Sequence, residues 1–185
     1  MHDALSAAVA RPTTWVILVV AIAAWPVAWS LRTPLPPRLP VLGTVPVFDL
    51  TAQDGRPFGS NDLAGRVWLL SFVSTRSETG AATTFAAVQS RTRNLEPDFH
   101  LVSISVEPDL DTPERLADYA RAHRASPRMW TFLTGSTETV RDAVAHGTEL
   151  VLVDREGRIR GYYDPRDAEV VKRVVRDAAL LVNRG

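Results

Sequence analysis

The chain has 185 residues, enough for one ordinary domain plus a tail or a membrane segment and too few for two full domains. Its 21 Lys and Arg balance 21 Asp and Glu for a formal charge of +0, which removes the cationic footprint that nucleic acid binding needs. There is no cysteine, so disulfides, thiolate metal ligands, iron–sulfur clusters and thiol redox chemistry are excluded within the chain.

Residues 1–11 form a short N-terminal tail. From Pro12 to Leu31 runs an uncharged stretch, PTTWVILVVAIAAWPVAWSL, which as a helix would reach about 30 Å, the thickness of a bilayer core. We expect residues 12–31 to be one transmembrane helix, an anchor or uncleaved signal, with Trp15 and Trp29 near the headgroup levels. A cleaved secretory signal is the alternative, since Ala21, Ala23 and Ala28 offer small residues to a peptidase. Arg11 on one side faces Arg32 and Arg38 on the other, so charge alone leaves the orientation open. Residues 32–44 read as a linker, because the piece TPLPPRLP favours an extended polyproline II spacer.

Residues 45–185 alternate strand and helix signals. VPVFDLT at Val45–Thr51, the turn QDG and Arg56–Phe58 predict a β-hairpin. VWLLSFV at Val67–Val73 is a near-continuous apolar run, the pattern of a central strand buried on both faces. A helix over Thr83–Leu95 would turn Phe85, Val88, Thr92 and Leu95 to one side, and HLVSISV at His100–Val106 predicts a strand. Thr112-Pro113-Glu114 predicts a helix start, with Thr112 as N-cap, Pro113 in the first turn and a stripe of Leu116, Tyr119, Ala120 and His123. Trp130–Leu133 reads as a strand and Ser136–Ala145 as a short helix. Leu150–Asp154 and Arg158–Tyr163 flank a turn as a hairpin, and Val170–Val182 closes the chain as an amphipathic helix through Val171, Val174, Ala178 and Leu181. The order implies an α/β sandwich with a mixed sheet.

A buried strand that ends in a loop opening a helix is the layout of thioredoxin-like folds, whose chemistry sits in that loop, where free backbone N–H groups stabilise an anion. Here the loop is Ser74-Thr75-Arg76-Ser77-Glu78-Thr79-Gly80-Ala81-Ala82. Several blocks around it resemble the Sco/SenC family, membrane-anchored copper proteins associated with assembly of cytochrome c oxidase. T-R-S-E-T-G-A-A at Thr75–Ala82 stands where the family has T-R-C-P-x-x-C-P. SISVEPDLDTPERL at Ser103–Leu116 is similar to the family's S-V-D-P-x-x-D-T-P, and WTFLTG at Trp130–Gly135 also fits. HGTELVLVDREGRIRGYYD at His146–Asp164 resembles the block that begins with the family's metal-binding histidine. The resemblance implies an α/β thioredoxin-like fold with a mixed central sheet and flanking helices, preceded by one transmembrane helix.

The same resemblance places the two family cysteines on Ser77 and Ala81 and the metal histidine on His146. Copper(I) prefers soft thiolates, which a hydroxyl and a methyl do not replace, so no cofactor is expected, and copper enters by resemblance alone. The reading that follows is a non-enzymatic accessory module, tethered in the inner membrane with its domain on the periplasmic or extracytoplasmic side. Its partners would be a cytochrome c oxidase subunit, an assembly factor or a Cys-containing Sco paralogue; nucleic acid is not among them. One alternative is a copper chaperone with an altered site using His146. Another is a Ser77/His146 hydrolase with Asp154 or Asp109 as orienting carboxylate, although no G-x-S-x-G elbow surrounds Ser77. Arg76 reads as solvated more readily than as holding an anion or a carboxylate, and Glu107, Asp109 and Asp111 as a solvated loop and helix cap more readily than as a hard-cation site. Asp154 reads as a turn residue and Met129 as core. Neither His100 nor His123 has metal-site spacing.

Overall fold

A computed structural model describes residues Trp15, Val19, Val20, 22–26, 38–76, 80–136 and 150–184. The chain divides into two compact units, Met1–Arg38 and Leu39–Gly185. In the first, Trp15, Val19, Val20 and residues 22–26 are helical, and their large apolar side chains are exposed. Among the described residues no helix is long and apolar enough to cross a membrane. Much of the expected span 12–31 lies outside them.

The second unit is built on eight strands: β1 (Gly43–Thr44), β2 (Asp49–Ala52), β3 (Pro57–Gly59), β4 (Val67–Val73), β5 (Phe99–Ser105), β6 (Trp130–Thr134), β7 (Leu150–Val153) and β8 (Arg158–Tyr163). Their order in one sheet is β1-β8-β7-β4-β5-β6-β2-β3. β4, β5 and β6 run parallel, while β7 and β8 on one side and β2 and β3 on the other are antiparallel. The sheet is therefore mixed, and the apolar run of β4 lies near its middle because both of its faces are covered.

Alternation along each strand divides the core in two. One face carries Val67, Leu69, Leu101, Trp130, Phe132 and Leu152, and packs against α1 (Gly80–Arg91), α2 (Pro113–Ala122) and α3 (Val170–Val182) through Phe85, Val88, Leu116, Val174 and Ala178. The other carries Trp68, Leu70, Val102, Ile104, Leu133 and Val151, and is covered by Val45, Phe48, Leu50 and Leu63. Two buried serines on the helix side satisfy each other, with Ser71 Oγ and Ser103 Oγ 3.0 Å apart and Trp130 Nε1 donating to Ser103 Oγ at 2.9 Å.

Most predicted elements are present, and the differences have local causes. Thr112 caps α2, its Oγ1 accepting from Arg115 N–H at 3.4 Å, and Pro113 sits in the first turn. The predicted helix after β4 ends at Arg91 and is followed by a separate 3-10 turn, Arg93–Leu95, yet Thr92 and Leu95 still reach the core. The buried stripe of α3 is Val170, Val174, Asp177 and Ala178 rather than Val171, Val174, Ala178 and Leu181. Asp177 is admitted because Tyr163 Oη donates to its Oδ2 at 2.9 Å. Gly43 and Thr44, inside the stretch read as linker, pair with Ile159 and Arg158, and the compact unit begins at Leu39. The free edge of β8 takes up this chain. The predicted helix Ser136–Ala145 falls on residues of which all but Ser136 lie outside the described ones.

Candidate functional site

The parallel strands β4 and β5 end side by side, with Val73 opposite Ser105 and Val106 N–H donating to Val73 O at 2.9 Å. In open α/β sheets ligands bind beyond such carboxyl ends, where loops carry free backbone groups. Ser74, Thr75 and Arg76 leave β4 here, and α1 starts at Gly80. Ser77, Glu78 and Thr79 lie outside the described residues, as does His146. Ala81 is described, 2% exposed, with its methyl in the helix-side core.

A carboxylate network fastens this loop. Asp111 is fully buried: its Oδ1 accepts from Thr75 Oγ1 at 2.5 Å, and its Oδ2 from Ser105 Oγ at 2.6 Å and Thr75 N–H at 3.3 Å. Ser74 Oγ donates to Glu107, and Arg76 N–H donates to Ser74 Oγ at 3.2 Å. The Arg76 guanidinium lies 3.8 Å from Glu107 Oε1 with its side chain 62% exposed, an ion pair on the rim rather than a free solvated group. The reading of Glu107, Asp109 and Asp111 as a solvated loop is corrected for two of the three. Asp109 is exposed, but Asp111 and Glu107 turn inward to Thr75, Ser105 and Ser74 because those hydroxyls supply the donors a buried carboxylate requires. Among the described residues no group of three or more His, Asp or Glu is arranged to hold a metal ion.

Asp154 is withdrawn from any hydrolytic site. It follows Val153, which pairs with Trp68 at the beginning of β4, so it lies at the opposite end of the sheet from Ser74. Its carboxylate is occupied by Arg158 Nε at 2.9 Å, an Arg160 guanidinium nitrogen at 2.8 Å and the N–H groups of Glu156 and Arg158. Burial opposes its charge, but these hydrogen bonds outweigh it and hold the carboxyl below its ordinary range. The turn reading of Asp154 stands beside this role: Gly157, with φ +78°, closes the turn by donating its N–H to Asp154 O at 3.0 Å.

The remaining candidates are structural. Met129 is core, 1% exposed. His123 caps the C-terminus of α2, its ring centroid 4.4 Å from that of Tyr119. His100 is buried at the start of β5, its Nε2 2.9 Å from Thr131 Oγ1 and its ring stacked on Phe58. Burial, with the Arg66 charge second, pushes its pKa down from 6.5 to about 4, and its Nδ1 has no hydrogen-bond partner. Sequence reading left His100 and Asp111 without these roles. The clustering of Ser, Thr and Asp at the ends of β4 and β5 is the one local signal that could have suggested Asp111.

The three parallel central strands, the flanking antiparallel pairs and the loop from β4 into α1 define a thioredoxin-like α/β fold with its candidate site at the carboxyl end of the sheet. The sequence profile described as SCO1/SenC matches residues 41–146, more than half of the chain, and the chain belongs to the SCO1/SenC family. A SCO1 protein homolog of Bacillus subtilis (strain 168) is 27% identical over 138 residues, 63% of this chain and 72% of the relative. The crystal structure of a SCO1/SenC family lipoprotein from Bacillus anthracis str. Ames superposes with a TM-score of 0.72 at 28% identity, covering 78% of this chain and 99% of the other. BsSco, a member of the Sco family of cytochrome c oxidase assembly proteins with a disulfide switch, superposes with a TM-score of 0.70 at 23% identity over 79% and 98% of the two chains, a likeness of fold.

Proposed function

We propose that this chain is a membrane-anchored, thiol-free Sco protein that serves cytochrome c oxidase assembly by binding a partner rather than by carrying copper or exchanging disulfides. The observation that carries the reading is the sulfur-free loop. Ala81, on a position the resemblance gives to a cysteine, presents a buried methyl, and the whole chain holds no thiol. Copper(I) is selected by soft thiolates, and the neighbouring groups at this end of the sheet are hydroxyls and carboxylates already bonded to one another. What this end of the sheet presents instead, among the described residues, is exposed Arg76 from the loop after β4 and exposed Asp109 and Leu110 from the loop after β5, side chains suited to recognition. The family's link to oxidase assembly, carried by the BsSco relative, supports an oxidase subunit, an assembly factor or a Cys-containing paralogue as the partner. The uncharged stretch 12–31 supports an anchor, as does the lipoprotein description of the Bacillus anthracis relative, with the domain on the extracytoplasmic side.

The test is titration of Cu(I) and Cu(II) into the full chain in detergent, with His146→Ala alongside. No stoichiometric tight binding is expected. Tight one-to-one binding lost in His146→Ala would overturn the reading in favour of a copper carrier with an altered site. Ser77→Cys combined with Ala81→Cys is expected to recover Cu(I) binding, because the scaffold then regains two thiolates. Affinity capture from membranes that recovers neither oxidase components nor a Sco paralogue would remove the partner-binding role.

A further inference from the structure

The β2–β3 hairpin reaches further across the sheet than its pairing accounts for. β3 stands three places from β5 in the strand order, so with neighbouring strands about 4.8 Å apart a flat sheet would hold the two about 14 Å apart. The Phe58 ring of β3 is nevertheless stacked on the His100 ring of β5, with centroids 6.1 Å apart and planes at 21°. The hairpin therefore curls back over the sheet face opposite the three helices, the face His100 shares with Val102 and Ile104. Its hold on the rest of the sheet is short. β2 meets β6 at Thr51–Thr134 and Ala52–Leu133, extended by Gln53 N–H donating to Phe132 O at 3.0 Å and Phe132 N–H donating to Gln53 Oε1 at 2.8 Å.

His100 lies under that curl with Nε2 2.9 Å from Thr131 Oγ1, while Nδ1 finds no hydrogen-bond partner among the described residues. Phe58 and Thr131, which touch the ring, also line a cleft of about 610 Å³ between the hairpin and α2, together with Pro57, Asp62, Ala117 and Ala120. Phe58 thus has room to turn away from the imidazole. A neutral ring tolerates this place, because one nitrogen can stay a bare acceptor. An imidazolium does not: both nitrogens become donors, Thr131 Oγ1 serves only one of them, and the charge is shut away from water.

The charged groups on the surrounding elements give it no relief. On the hairpin Arg56 and Asp54 pair with each other at 3.7 Å, after β3 Asp62 accepts from Gly59 N–H at 2.8 Å, and before β5 Asp98 pairs with Arg155 at 3.2 Å. Arg128, ahead of β6, is exposed. Arg66, ahead of β4, adds a like charge that, after burial itself, lowers the pKa of the ring to about 4.

We infer that His100 is an acid latch on the β2–β3 hairpin: protonation of its ring releases Phe58 and the hairpin from the sheet face and opens the cleft beside α2, while β4, β5 and β6 stay paired. The proton comes from solvent and is held at the nitrogen left bare in the neutral ring. The latch belongs to the unit Leu39–Gly185 and is independent of what the loop after β4 binds.

Amide hydrogen exchange of the full chain in detergent, read by mass spectrometry and corrected for intrinsic rates, tests it. An imidazole that titrates at 6.5 with the hairpin open and at about 4 with it closed raises the opening constant of residues 49–59 roughly 25-fold between about pH 7.5 and about pH 5. The hairpin is expected to show this rise while the amides of β4 and β5 remain protected in acid. Exchange of β4 and β5 together with the hairpin would mean that acid melts the domain as a whole, and overturns the latch. A hairpin that does not respond to pH overturns it as well. His100→Leu combined with Thr131→Val is expected to abolish the response; one that persists belongs to another group and also overturns the proposal. Hairpin and central strands are compared within the wild-type chain, so the first two outcomes decide the matter without the double variant.

Discussion

His100 offers the sharpest test of the packing described above. It is 4% exposed, and burial, reinforced by Arg66, lowers its pKa from 6.5 to about 4. In the unfolded chain the imidazole protonates near its ordinary value, whereas in the native fold it resists, so the unfolded state binds more protons between the two values. The contribution is fully present above 6.5 and is lost as pH falls through the window down to about 4. The displacement corresponds to about 3 kcal/mol at completion, with about 2 kcal/mol already lost at about pH 5. Asp154 acts in a different window. Its carboxyl is held below its ordinary range, so its contribution falls away only at more acidic pH. The perturbation is His100→Leu combined with Thr131→Val, which removes both ends of the 2.9 Å contact and leaves no hydroxyl stranded. Urea unfolding followed by circular dichroism across the window should show wild type losing stability as pH falls and the double variant nearly flat. A double variant that follows the wild-type slope would refute the assignment of that slope to His100.

Two further substitutions probe the site scaffold and the sheet edge. Asp111→Ala leaves the hydroxyls of Thr75 and Ser105 without their shared acceptor in a buried position, and should cost about 2–4 kcal/mol in urea unfolding; a loss below about 1 kcal/mol would show that the loop does not depend on this brace. Gly161→Ala places a Cβ 2.7 Å from Tyr163 Oη, and should displace that ring from Asp177 at a cost of about 1–3 kcal/mol. An unchanged unfolding midpoint for this variant would mean that Tyr163 relaxes freely and that its hydroxyl contributes little.

The sequence by itself determined the elements whose signals are local. The apolar run of β4, the Thr112-Pro113 start of α2, the hairpin of β7 and β8 and the bounds of α3 were all legible, because a strand or helix declares itself in the spacing of neighbours along the chain. So was the chemistry the molecule lacks: the want of cysteine is a fact of composition that no fold can alter. The polar interior was decided only by the tertiary structure. Asp111 looks like one more acid in a hydrophilic loop until Thr75, 36 positions earlier, closes on it. His100 acquires its low pKa from burial and the Arg66 charge, and its Nε2 meets Thr131, 31 residues away, while Asp177 enters the core where Tyr163 and Arg176 both bond its carboxylate. Gly43 and Thr44 become a strand only because β8 has an edge to offer. A polar group can be buried only where a partner waits, and the partners lie far off in sequence, so local pattern assigns such residues to solvent and only the folded chain assigns them to the core.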